Sequence, residues 1–257
     1  MLDELLRGSL EDAAERREVR GTAQVERDAL AQPTAIDAYA ALQRAELVHV
    51  IAEVKRASPS RGALADIPDP AELAGEYARG GASAISVLTE QRRFKGSLDD
   101  LVAVRRAVDV PVLRKEFIGE EYQLLEARAA GADLALLIVA ALDDRTLARL
   151  ARFTEELGMT PLIEAHTKDE LLRGLDAGAR VLGVNARDLQ TFELHPGLFG
   201  ELAPLYPEGV VRVAESAVLE PAHVRRYRDD GADAVLVGEA LVTGGDPAGA
   251  IERFRRA

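Results

Sequence analysis

The chain has 257 residues, 47% of them hydrophobic, and a formal net charge of -12. That is enough apolar material for a full core of barrel or doubly wound size, and the acidic balance excludes the basic footprint of a nucleic-acid binder while leaving room for a local pocket for a small anion. The absence of cysteine excludes disulfides, thiolate metal sites and cysteine nucleophiles, and the longest wholly apolar run, Leu134 to Leu142, is too short to span a bilayer. The N-terminus is charged throughout and lacks the apolar stretch of a signal peptide, so the expectation is a soluble, cytoplasmic chain with neither membrane nor nucleic acid as partner.

Residues 1–45 read as a polar helical extension with Leu2, Leu5 and Leu6 as a small apolar stripe, divided near Gly21 and Pro33 and folded over one end of the main domain. Residues 46–257 read as that domain. From Val48 onward, short apolar strands alternate with helical stretches, the pattern of βα units and a parallel sheet. The alternation predicts strands over 48–54, 83–87, 110–115, 133–138, 160–164, 181–185, 210–215 and 234–237. Helices are predicted over 70–79, 98–108, 120–130, 143–157, 167–177, 197–203, 221–229 and 247–256. Eight of each suit an α/β fold of the closed (β/α)8 type, a barrel of about 250 residues, with an open sheet as the alternative.

An internal repeat favours the barrel. Gly81-Ala82-Ser83, Gly131-Ala132-Asp133, Gly178-Ala179-Arg180 and Gly231-Ala232-Asp233 each close a helix and open a strand, at spacings of 50, 47 and 53 residues. Glycine suits the left-handed residue that ends a helix. Four such markers, one at every second strand, fit eight strands better than five or six.

The first strand carries an unusual pair. Val48, Val50, Ala52 and Val54 share one face; His49, Ile51, Glu53 and Lys55 share the other. A glutamate and a lysine on one strand face are costly in a core unless they pair with each other or with a ligand. Lysine is itself scarce: of 32 basic residues only Lys55, Lys95, Lys115 and Lys168 are lysine, and 28 are arginine. A desolvated lysine can lose its proton near neutral pH, whereas arginine cannot.

Barrel enzymes place reacting groups at the C-terminal ends of strands. There strand 1 offers Glu53 and Lys55, strand 3 Lys115 on one face with Leu113 and Phe117, and strand 5 Glu164. Strand 6 offers Asn185 followed by Arg187, and strand 7 Glu215 and Ser216. Their gathering at one mouth points to an active site; a structural network would be spread over both ends. Such lysines and glutamates are expected to shift one another's pKa values toward neutrality. The small residues in Ala214–Ala217 and Val237–Ala240 fall where barrels hold a phosphate with backbone N–H groups, and Ser58 and Ser60 of the first loop are placed to help close it. His49, His195 and His223 are expected to be structural. His166, near the mouth just after Glu164, also has a weak claim to a role. No metal-protease, P-loop or dinucleotide motif is present, so metal and nucleotide readings lack support.

The stretches IAEVKRASPSRG, ISVLTEQRRFKGSLDDL, VLRKEFI, EARAAGADLALLIVAAL, PLIEAHT, GVNARDLQTFE and VVRVAESAV resemble the indole-3-glycerol-phosphate synthase family of tryptophan biosynthesis. The likeness runs from strand 1 to strand 8 and includes the N-terminal extension. It implies closure of 1-(2-carboxyphenylamino)-1-deoxyribulose 5-phosphate into an indole ring with loss of carbon dioxide and water, and no cofactor. By position in those motifs Lys115 would be the main general acid and Glu164 the acid/base of dehydration, while Lys55 and Glu53 would stabilise the substrate and assist proton transfer. Asn185, Arg187, Glu215 and Ser216 would hold the hydroxyls and the aromatic part, and Phe117 would pack on the ring. The backbone around Ala217, Gly238 and Glu239, with Ser58, would take the phosphate. The resemblance also leaves room for association with other tryptophan-pathway enzymes. Ala217 stands where the family usually has glycine, and Glu116 and Ala186 where aspartate and asparagine are commoner. Two other readings compete: the isomerase acting one step earlier, whose family uses a cysteine that this chain lacks, and a barrel that binds a phosphorylated ligand without turnover.

Overall fold

The computed structural model describes residues 1–59, 62–188 and 191–257. Eight parallel strands close into a barrel: β1 His49–Val54, β2 Ala84–Leu88, β3 Val112–Lys115, β4 Leu134–Ile138, β5 Thr160–Ala165, β6 Val181–Asn185, β7 Val211–Glu215 and β8 Ala234–Val237. Each strand pairs with its neighbours in sequence, and β1 closes onto β8 with His49 opposite Ala234. The two-residue period of a strand then sorts the side chains. Val50, Ala52 and Val54 point outward into the layer shared with the helices, while Ile51, Leu113, Leu134, Leu162, Val213 and Leu236 fill the barrel interior.

The surrounding helices are α1 Leu2–Val19, α2 Thr22–Leu30, α3 Ala38–Ala41, α4 Pro70–Arg79, α5 Leu98–Ala107, α6 Glu121–Ala129, α7 Asp144–Glu156, α8 Lys168–Asp176, α9 Leu198–Leu202, α10 Pro221–Asp229, α11 Glu239–Thr243 and α12 Pro247–Arg255. Asp69, Ser97, Asp143 and Thr167 each accept a backbone N–H in the first turn of the helix that follows, satisfying donors that would otherwise lack a partner. Strand β3 begins two residues later than predicted, after Pro111, which has no N–H to give to a ladder. The one-turn helix α11 and the ribbon of Ala57–Ser58 against Gly62–Ala63 were not expected, because neither is long enough to show a period in sequence.

The Gly-Ala repeat has the predicted role and a further one. Gly81, Gly131, Gly178 and Gly231 all lie in the left-handed region, with φ of 88°, 91°, 90° and 97°. In the two copies that end in aspartate, the carboxylate reaches sideways to the preceding strand. Asp133 accepts the N–H of Val112 at 2.8 Å, and Asp233 accepts that of Arg212 at 3.0 Å. These are corresponding places four strands apart, so the repeat marks half-barrels as well as helix ends.

The N-terminal extension touches both ends of the barrel rather than one. Helix α1 crosses the C-terminal end, where Leu2 and Leu5 join the interior cluster. Val25 and Ala29 of α2 then pack on Tyr122 and Leu125 of α6 along the outside. At the N-terminal end, Ile36 N–H donates to Asp133 at 2.8 Å, Ala38 and Leu42 enter the interior cluster, and the Tyr39 hydroxyl donates to the Gly209 carbonyl at 2.7 Å.

Asp133 therefore holds two backbone N–H groups and the Arg105 guanidinium, whereas Asp233 holds the Arg212 N–H. Leaving a buried donor unsatisfied costs about 1–3 kcal/mol, so Asp133→Ala should lower unfolding free energy by about 3 kcal/mol or more and Asp233→Ala by about 1–2. Urea unfolding followed by circular dichroism measures both. Equal losses would show that the extra partners of Asp133 contribute nothing.

Candidate active site

The interior positions at the C-terminal strand ends are polar. Lys115, the last residue of β3, places Nζ 3.0 Å from Glu164 Oε2 on β5 and 3.0 Å from Glu215 Oε2 on β7. The other oxygen of Glu164 accepts the Asn185 amide at 3.2 Å, and Asn185 Oδ1 accepts Ser216 Oγ at 2.7 Å and the Arg187 backbone N–H at 3.0 Å. On β1, Glu53 pairs with Lys55 beside this group. Two glycines make the arrangement possible. A Cβ at Gly183 would collide with Glu215 Oε1, and one at Gly238 would collide with Glu53 Oε2 and reach within 3.2 Å of Lys55 Nζ. Side chains at either place would displace a carboxylate.

Glu53, Glu164 and Glu215 are 3%, 1% and 1% exposed, so their charges interact with little screening. Burial alone lowers the Lys115 pKa, but the carboxylates of Glu164, Glu215 and Glu53 outweigh it and hold the ammonium above its ordinary value. Burial raises Glu164, yet Lys115 and His166 hold it well below the usual carboxylate range. Glu215 is pushed up to about 8, first by burial and then by Glu164, against the pull of Lys115. Among Lys115, Glu164 and Glu215, the expected drift toward neutrality holds for Glu215 and fails for the other two. At contact distance the attraction between Lys115 and Glu164 exceeds the cost of burial and drives the two away from neutrality in opposite directions. At neutral pH the mouth therefore holds a protonated lysine, an ionised Glu164 and a Glu215 able to donate. Glu215 Oε1 has no hydrogen-bond partner among the described residues.

One cavity of about 1240 Å³, its open mouth included, is bounded by these groups and by Ser58, Phe117, Arg187, Ser216, Ala217, Gly238 and Glu239. All thirteen residues singled out from the sequence as catalytic, substrate-binding or phosphate-binding line it; Ser60 lies outside the described residues. The sequence reading missed its apolar roof, to which Leu5 of α1, Phe94, Leu194 and Leu219 contribute. Phe94 and Phe117 stack at a tilt, centroids 6.0 Å apart. Phe94 lies within one of the motif stretches, so that signal was present, while Leu5 had no signal beyond the apolar stripe. Glu116 also lines the cavity, but its oxygens accept Ser9 Oγ at 3.1 Å, Thr89 Oγ1 at 2.8 Å and the Phe117 N–H at 3.0 Å, tying α1 and β2 to the end of β3. His49 bonds Ser83 and the Gln43 carbonyl, and His223 accepts the Leu219 N–H, both outside the mouth. His195 lines a separate smaller cavity. His166 instead touches Glu164, 3.2 Å from Nε2 to Oε1.

The sequence pattern of the family described as "Indole-3-glycerol phosphate synthase" matches residues 2–254. Proteins of the same description include one from Leifsonia xyli subsp. xyli, 63% identical over 255 residues, covering 99% of this chain and 98% of that protein. Another, from Micrococcus luteus, is 56% identical over 261 residues, with coverage of 100% and 97%. Among solved structures, 3-hexulose-6-phosphate synthase superposes with a TM-score of 0.63 at 21% identity, over 81% of this chain and 99% of that one. Thiamine phosphate pyrophosphorylase from Pyrococcus furiosus does so with 0.62 at 16%, over 82% and 94%. These two likenesses establish the barrel fold and nothing finer. The full-length match and the close relatives establish more: the chain belongs to the indole-3-glycerol phosphate synthase family, carboxy-lyases of tryptophan biosynthesis.

Proposed function

We propose that the mouth closes 1-(2-carboxyphenylamino)-1-deoxyribulose 5-phosphate into indole-3-glycerol phosphate, with Lys115 as general acid and Glu164 as the acid/base of dehydration. The observation that carries this is the Lys115 ammonium held 3.0 Å from each of two carboxylates, one kept ionised. The ring carbon bearing the substrate carboxylate attacks the ketone carbon, and the carbonyl oxygen takes a proton as that bond forms. Lys115 keeps its proton until so basic an oxygen develops, then supplies it. Loss of carbon dioxide returns the bonding electrons to the ring and restores aromaticity. The new hydroxyl then leaves as water with a proton from an acid, while Glu164 takes the proton released next to it. Lys55, fixed by Glu53, supplies the second ammonium. Phe117 packs on the aromatic ring, and Asn185, Arg187, Glu215 and Ser216 hold the hydroxyls and the carboxylate-bearing part.

The phosphate goes to the ends of β7 and β8, between Ser58, Ala217, Gly238 and Glu239. Ser216 and Ala217 stand there at φ of 68° and 56°, the left-handed region that favours glycine. This accounts for the glycine usual at the second position. The alanine penalty there is about 1–2 kcal/mol, against about 0.5–1 for the greater freedom glycine has when unfolded. The reading carries with it a cytoplasmic setting and the company of other enzymes of the same pathway. Among the described residues no helix is long and apolar enough to cross a membrane.

Turnover is tested by mixing protein and substrate and following indole fluorescence, against a chain that has no tryptophan. Glu164→Gln keeps shape but not basicity, so kcat should fall by roughly 10²–10⁴ with modest change in KM. Lys115→Arg keeps the charge but not a transferable proton, and should cost at least ~10² in kcat. Parental turnover in either variant would remove that residue from the proton chemistry. Ala217→Gly should raise unfolding free energy by up to about 1 kcal/mol and leave KM no worse. A substrate analogue without phosphate should bind more weakly by several kcal/mol, at about 1.5–3 for each charge-assisted hydrogen bond lost. Equal affinity for the two would rule out the phosphate site.

A further inference from the structure

His166 lies on the opposite side of Glu164 from Lys115. Lys115 bonds Glu164 Oε2, while His166 Nε2 sits 3.2 Å from Oε1, at contact distance but without a well-formed hydrogen bond. The imidazole is 10% exposed and held at its other end by Glu170 of α8. Glu170 Oε2 lies 3.2 Å from Nδ1 and also accepts the His166 backbone N–H at 2.8 Å, which fixes the ring relative to its own main chain. The Thr167 hydroxyl caps the same helix by accepting the Glu170 N–H. An ionised carboxylate can only accept hydrogen bonds. A ring with a carboxylate at each nitrogen therefore needs a proton on both, which makes it an imidazolium; a neutral ring would turn a lone pair toward one of the two anions.

We propose that His166 is a positioning residue for Glu164: braced by Glu170, it presents a charged N–H to the second carboxylate oxygen and keeps that carboxylate ionised and aimed into the mouth. The inference rests on the assignment of Glu164 as the acid/base of dehydration. Glu164 is faced by Lys115 from β3, by Glu215 from β7, by Asn185 from β6 and by His166 from the turn after β5. His166 is faced by Glu164 and Glu170 and, across the smaller cavity it helps to line, by Asp188 and His195. Burial opposes ionisation of Glu164, Lys115, His166 and the hydrogen bond from Glu215 favour it, and of these Lys115 is needed as proton donor. His166 is the second cation in contact, and it does not line the substrate cavity. Burial alone would discharge the ring, but Glu164 and Glu170 push it up to about 10, so it stays charged through the range in which Glu164 works.

The sign of the pH effect follows. Without the imidazolium, Glu164 binds its proton more tightly, and the acidic limb of kcat moves to higher pH. His166→Gln and His166→Asn should both fold, lose about tenfold in kcat at neutral pH, keep KM within about twofold, and shift that limb up by about one unit or more. Glu170→Gln should shift it the same way by less. In a Glu164→Gln background, His166→Gln should cost no further activity, because its effect is exerted through the carboxylate. An unmoved limb, or a loss that adds fully to that of Glu164→Gln, would overturn the proposal. If neither histidine variant folds, nitrogen NMR of the imidazoles in the intact protein decides: both His166 ring nitrogens should be protonated at neutral pH, and a neutral ring overturns the inference. Failure of the underlying reading would look different, with Glu164→Gln itself turning over like the parent.

Discussion

A lysine ammonium placed between two buried carboxylates at the mouth of the barrel sets the conditions for everything around it. Burial of Lys115, Glu164 and Glu215 is unfavourable for each group taken singly, and the arrangement exists because opposite charges meet at 3.0 Å. Three carboxyl groups and two ammonium groups cannot all be charged in so small a space without repulsion. The structure resolves this by moving Glu215 toward its neutral form while Glu164 stays ionised. Groups of one kind thereby acquire opposite pKa shifts from position alone. The interior glycine at 183 and the glycine at 238 are the steric conditions of that arrangement, since each leaves room for a carboxylate.

The strand that carries Lys115 is also gripped from behind. Its neighbour Arg114 points outward, is fully buried, and gives its charge to Glu126, the Gln123 carbonyl and Thr89. Glu126 is shared with Arg16 of α1, and Glu116 with Ser9 of the same helix. The end of β3 thus lies between two charged layers, an inner one that lines the cavity and an outer one that fastens the N-terminal helix. Leu5 roofs the mouth because α1 is held by these polar bonds on one side and by its own Leu2 and Leu5 on the other. A helix that touches the cavity is in this way coupled to the strand that carries Lys115.

Much of this was legible in the residue order, for identifiable reasons. Strand alternation exposed Glu53 and Lys55 because a pair of charges on the inward face of a valine-rich strand is costly unless the two pair with each other or with a ligand. The scarcity of lysine drew attention to Lys115. The Gly-Ala markers counted the strands correctly because each needs a left-handed residue, and all four have one. What escaped depends on distance in space. His166 and Glu164 are neighbours in sequence, but the weight of the histidine comes from Glu170, which the first turn of α8 brings back to it. The sideways reach of Asp133 and Asp233 to the preceding strands had no sequence signature beyond the repeat itself. The directions of the Lys115 and Glu164 pKa shifts also escaped, because composition shows which charges gather but not which pairs touch.

A chain of net charge -12 that takes a substrate bearing both a carboxylate and a phosphate has to neutralise its mouth locally. The cavity wall contains more carboxyl groups than cations, yet those around the reacting centre are each answered. Glu53 has Lys55, Glu164 has Lys115 and His166, Glu116 has Arg114 with two hydroxyls and a backbone N–H, and Glu215 shares Lys115 and tends to keep its own proton. The repulsion that an anionic substrate would meet is therefore confined to charges already paired at contact distance, whose fields largely cancel a few ångströms away. The net charge of the whole molecule does not favour long-range attraction of an anion. The short-range groups that line the cavity are Arg187, the residues at the ends of β7 and β8, and the apolar roof of Leu5, Phe94 and Phe117. The paired charges at the bottom of the mouth are thus bordered on its outer side by apolar side chains from elements outside the barrel strands.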